Sequence, residues 1–60
     1  MGEKLRAARK AAGLTQAQLA EKAGYTQRDV SRWESGAVEP IASTVRKLAD
    51  ALGCPADDII

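Results

Sequence analysis

Four glycines cut this chain of 60 residues into pieces that suit short helices. Gly13, Gly24, Gly36 and Gly53 stand 11, 12 and 17 positions apart. Each follows a stretch with helical patterning, at the place where a left-handed residue ends a helix and Gly is favoured. Pro40 and Pro55 come after two of these glycines and suit the opening turn of the next helix. Twelve of the 27 apolar residues are Ala and only two residues are aromatic, which favours close-packed helices over a sandwich or barrel. No run of four or more residues alternates β-formers, so no strand competes. The length allows one domain, residues 1–60, which buries only about 60% of the surface its unfolded form exposes. The predicted fold class is all-α, a compact bundle of five short helices.

The first helix, about 2–12, places Leu5, Ala8 and Ala12 on one face. The second, about 16–23, opens on Thr15 with Gln18 three residues on, the pattern of a capping box, and turns Leu19, Ala20 and Ala23 inward. The third, about 27–35, is capped by Thr26 and buries Val30 and Trp33. The fourth, about 41–52, has the strongest periodicity, with Ile41, Val45, Leu48, Ala49 and Leu52 in one stripe. A last helical turn, about 56–59, leaves Ile59 and Ile60 near the end.

Several chemistries are excluded by what is missing. There is no His and one Cys, Cys54, so the chain has no Ser–His or Cys–His nucleophile pair, no internal disulfide and no four-ligand zinc site. Asp57 and Asp58 lack metal-ligand partners and read as caps of the terminal turn. Cys54 reads as a small apolar residue. No apolar run reaches the ~18 residues of a membrane span or resembles a signal peptide. The expectation is a cytoplasmic binding domain with no metal, no cofactor and no catalytic residue. Charge points to the partner: residues 1–32 carry a net +4 and residues 33–60 a net −3, an asymmetry that suits a polyanion on one side.

The second and third helices are joined by a turn containing Gly24, too short to lay them antiparallel, so they must cross steeply, with Ala20 at the close approach. At about 100° per residue with Val30 as zero, Trp33 falls near −60°, while Arg28 and Arg32 fall near 160° and 200°, opposite the buried side. Ser31 and Ser35 flank them and Gln27 sits at the helix start. Two guanidinium forks read guanine through O6 and N7, and a Gln reads adenine through N6 and N7.

The segment from Thr15 to Gly36, with Thr15-Gln16, Leu19-Ala20, Gly24, Val30-Ser31, Glu34 and Gly36, resembles the helix-turn-helix of the phage repressor/Cro superfamily. The likeness extends to Arg9, Gly13-Leu14, Pro40 and Leu48–Gly53. It implies a lambda repressor-like fold and a double-stranded DNA-binding transcriptional regulator, expected to repress by occupancy, with its third helix in the major groove. By the same resemblance Gln27, Arg28 and Arg32 are the base readers and Gln16 and Thr26 hold phosphates. Ser31, Ser35 and Lys10 are further candidates for the DNA backbone, with Lys4 and Arg6 beside Lys10 on the first helix, where solvated surface charge is the competing reading. The resemblance also pairs Arg9 with Glu34 in a salt bridge that braces the first helix against the third.

Three departures modify that expectation. The loop Ala37-Val38-Glu39 carries no cation where the family usually has one, Asp29 puts an acid on the reading helix within reach of Arg32, and Ile41 replaces a capping Ser. Affinity should therefore be electrostatically weak, with a shallow salt dependence. A reader this small touches few base pairs, so a homodimer on a two-fold symmetric site is expected, with Ile59 and Ile60, near Leu52 or Cys54, as a candidate contact; the competing reading has Ile59 closing the monomer core and Ile60 fraying. The alternative is a protein-interaction module, such as the antitoxin or adaptor half of a complex, its acidic second half facing a basic partner.

Overall fold

The computed structural model describes residues 2–60. Four α-helices, α1 (Gly2–Ala11), α2 (Gln16–Ala23), α3 (Gln27–Ser35) and α4 (Ala42–Leu52), are followed by a single 3-10 turn, Ala56–Asp58. The described residues include no strand. The fold is thus all-α, with four α-helices rather than five. The terminal segment expected over about 56–59 is one tight turn, because three residues after Pro55 close only short-range bonds, Asp58 N–H to Pro55 and Ile59 N–H to Ala56.

Local chemistry sets each helix end. In α1, Glu3 lies in the first turn and Arg9 and Lys10 in the last, each complementing the helix dipole. The helix stops one residue short of the expected Ala12, which is exposed and not on the inward face; Ala8 is half-buried and Leu5 is fully buried. α2 opens on a reciprocal capping box: the Thr15 hydroxyl accepts from Gln18 N–H at 3.1 Å, and Thr15 N–H donates to the Gln18 side-chain oxygen at 2.9 Å. α2 ends at Gly24, whose φ of 85° is left-handed, and Tyr25 N–H then bonds back to Ala20 at 2.7 Å. A Cβ at Gly24 would meet no neighbour, so the backbone conformation alone demands glycine there.

α4 corrects the expected stripe. Ile41 is the N-cap, in an extended conformation with no side-chain cap, and its side chain is 70% exposed. An extended cap residue lies outside the helical rotation, so Ile41 swings off the stripe that Val45, Leu48 and Ala49 continue. Thr44, not counted among the inward residues, is buried beside them.

Leu5, Leu19, Ala20, Val30, Trp33, Val45, Leu48, Ala49 and Ile59 form one continuous core, drawn from every helix and the C-terminal turn. α2 and α3 share the most extensive interface, and Ala20 within it is 2% exposed. Tyr25, in the turn between them, meets Trp33 edge-on with ring centroids 5.0 Å apart. Its hydroxyl donates to Thr44 Oγ1 at 3.1 Å, which ties the turn to α4. Gly2 lies so close to α3 that a Cβ there would collide with the Trp33 and Glu34 carbonyls, locking the start of α1 to the end of α3.

Candidate nucleic-acid interface

α3 exposes Gln27, Arg28, Ser31, Arg32 and Ser35 and buries Val30, Trp33 and Glu34. The two guanidinium-bearing residues expected to face outward therefore do so together, on a helix whose other side is fixed in the core. The Thr26 hydroxyl accepts from Asp29 N–H at 3.2 Å, and Thr26 N–H donates to Asp29 Oδ2 at 3.3 Å. This second capping box corrects the suggested pairing of Asp29 with Arg32. The Asp29 carboxylate is turned to the helix start, where the dipole favours it, and does not ion-pair with Arg32. Its sequence signal was present: Thr26 and Asp29 have cap spacing. Ser35 Oγ donates to the Arg32 carbonyl at 3.0 Å and accepts from Ala37 N–H at 3.4 Å, which engages it in ending the helix. Ser31 makes no side-chain hydrogen bond among the described residues, and Lys10 is exposed on the last turn of α1.

Behind this face lies a buried carboxylate. Arg9 Nε donates to Glu34 Oε2 at 2.6 Å and Arg9 Nη2 to Oε1 at 3.2 Å, a fork that fixes both planes. Arg9 Nη1 donates to the Leu14 carbonyl at 2.8 Å, so the same side chain also holds the chain between α1 and α2. Gln16 Nε2 donates to Glu34 Oε1 at 3.1 Å, and Arg6 Nε reaches the same oxygen at 3.4 Å. The Glu34 side chain has no exposure, whereas that of Arg6 is 52% exposed. Neither the Gln16 nor the Arg6 contact was legible in the sequence, since each joins residues 18 or more positions apart without a periodic signal.

Burial pushes the Glu34 carboxyl up, but hydrogen bonds from Arg9 and Gln16, the Arg9 charge and the Arg6 contact outweigh it and hold the group below the usual carboxylate range. Arg9 is raised by its bond to Glu34, against a smaller effect of burial. The Cys54 thiol is raised, first by burial and then by the Asp58 charge, which disfavours a reactive thiolate. No group of three or more metal-ligating side chains occurs among the described residues, and no described helix is long and apolar enough to cross a membrane.

Two short helices joined through Gly24, the second presenting a polar, arginine-bearing face and bedded on a small core, define a helix-turn-helix domain. The helix-turn-helix family profile matches residues 5–59, and the chain belongs to that family, in its phage repressor/Cro-type branch. It is 35% identical over all 60 residues to repressor protein C2 of Salmonella phage P22. The chain spans 28% of the length of that relative. No solved structure matches it significantly.

Proposed function

We propose that this chain is the operator-reading domain of a cytoplasmic transcriptional repressor, acting by occupancy of double-stranded DNA, without cofactor or catalysis. The observation that carries the reading is the exposed face of α3. Gln27, Arg28 and Arg32 stand on it unburied, and Asp29, in the first turn of the same helix, is held in its cap. In this reading α3 lies in the major groove, with Arg28 and Arg32 bidentate to guanine and Gln27 to adenine. Thr26, Gln16, Ser31, Ser35 and Lys10 contact the DNA backbone, which sets register without reading sequence. Arg9 and Glu34 serve as the brace that keeps the reading helix at a fixed angle. Two copies bind a two-fold symmetric site, since one α3 spans too few base pairs for specificity. Similarity to a phage repressor supports repression over activation.

Selecting bound duplexes from a random DNA pool tests this. The expected result is a two-fold symmetric consensus whose enrichment is lost in the Arg28→Ala/Arg32→Ala double variant. Each single substitution should cost about 1–3 kcal/mol on the selected site and relax preference at one base pair. Enrichment of nothing, or of the same consensus by the double variant, overturns direct readout and favours the protein-interaction module.

A further inference from the structure

Glu34 has more partners than a brace requires. One carboxylate draws in two guanidinium groups and an amide, and Oε1 alone accepts from Arg9, Gln16 and Arg6. Two cations on one anion leave a single uncompensated positive charge at this node. The Arg9 side chain is only 12% exposed and forks onto the carboxylate, so the surplus lies with Arg6, whose side chain is half exposed and which gives the carboxylate only its Nε. The outer nitrogens of Arg6 have no acceptor among the described residues, and the Gln16 amide has a second hydrogen beyond the one given to Glu34. Lys10 stands one turn further along the exposed side of α1, at i+4 from Arg6.

We infer that Arg6 is a further contact to the DNA phosphate backbone, held in place with Gln16 by the shared Glu34 oxygen. This deepens the proposed function and rests on it. A guanidinium with its Nε anchored on a carboxylate presents its remaining N–H groups with fewer free rotations, which suits a phosphate oxygen better than a freely moving Lys. The placement also answers the departure noted in the loop after Gly36, which holds Glu39 and no cation. Arg6 adds from α1 a positive charge that the loop does not supply.

The test measures binding of Arg6→Ala and Arg6→Lys to the selected duplex and to an unrelated duplex of equal length, across salt concentration. A phosphate contact is indifferent to sequence, so Arg6→Ala should weaken both duplexes by the same factor, while Arg28→Ala weakens the selected one more. Each neutralised phosphate contributes about 0.9 to the slope of log affinity against log salt. The ratio of wild-type to Arg6→Ala affinity per chain should therefore shrink by roughly threefold between about 50 and about 200 mM salt. Arg6→Lys keeps the charge and should restore the slope while leaving affinity below wild type, because its anchor on Glu34 is lost. A merely structural Arg6 would lower the melting temperature and leave the salt slope untouched, and that result overturns the inference. If Arg6→Ala fails in this way while Arg28→Ala still loses the selected site, the repressor reading stands without it. A wild-type chain that binds neither duplex ends both.

Discussion

At the scale of single residues, Glu34 decides more than any other side chain. It is buried and ionised, and it is acceptable only because Arg9 forks onto it and Gln16 completes its coordination. Glu34→Ala should cost about 3–5 kcal/mol, the usual result of removing one partner from a largely buried ion pair, and is read as a fall in the urea midpoint. The pH dependence has a definite sign. Because the folded carboxyl titrates below its unfolded value, the unfolded chain binds the proton first, and stability is lost as pH falls through the folded value. Wild-type stability should be flat above about pH 5 and fall below it, with a slope no steeper than about 1.4 kcal/mol per pH unit from this group. Glu34→Gln should lose that part of the acid limb. An identical acid limb in the variant assigns the acid sensitivity elsewhere. The Arg9–Glu34 contact was suggested by family resemblance alone. By about 100° per residue Glu34 falls about 40° from Val30, on the buried side; what the spacing lacks is the cation that makes a carboxylate acceptable there, and Glu in a short polar helix ordinarily reads as solvated.

The elements were easier to read, since their ends are set by neighbours in sequence. Thr15 with Gln18, and Gly24 with its left-handed backbone, act within four residues, so pattern alone places α2 closely. α4 shows the limit. Ile41 continues the i, i+4 spacing perfectly, yet the first residue of the pattern is the cap, and its extended backbone points it at solvent. Periodicity reports which residues share a face if the helix includes them; it does not report where the helix starts. The orphan N–H groups of α4 also go without a side-chain acceptor. Ile41→Ser should therefore supply a cap and remove an exposed apolar group, stabilising the fold by about 0.5–2 kcal/mol. Thermal denaturation checks the sign, and a loss of stability would mean Ile41 makes contacts that its exposure denies. Conversely, Gly24→Ala keeps every contact and strains only φ, so it should destabilise by about 1 kcal/mol or more.

At the scale of the whole molecule, the proposed pairing of two copies raises the question whether they would meet before or on DNA. Ile59, offered by the sequence as half of a dimer contact, is 2% exposed and closes the core, so only Ile60 of that pair is free. The other exposed large apolar residues among the described ones are Val38 and Ile41. Val38 and Ile60 are already about half covered, at 47% and 50% exposure, which halves what their further burial can contribute. Fully burying such a side chain is worth about 1.5–3 kcal/mol, and association costs an estimated 4–15 kcal/mol in lost freedom. Three such residues per chain come close to cancelling that cost and do not amount to a standard interface of about 20–30 residues a side. The chain should thus sediment as a monomer at micromolar concentration and pair only when a two-fold site holds two copies side by side. Two observations check this together. Sedimentation equilibrium of the free chain should give one mass near 6.4 kDa. Titration of the selected duplex should give two bound species, with the second copy binding more tightly than it binds an isolated half-site. A dimer in free solution would require an apolar face larger than the exposed side chains provide.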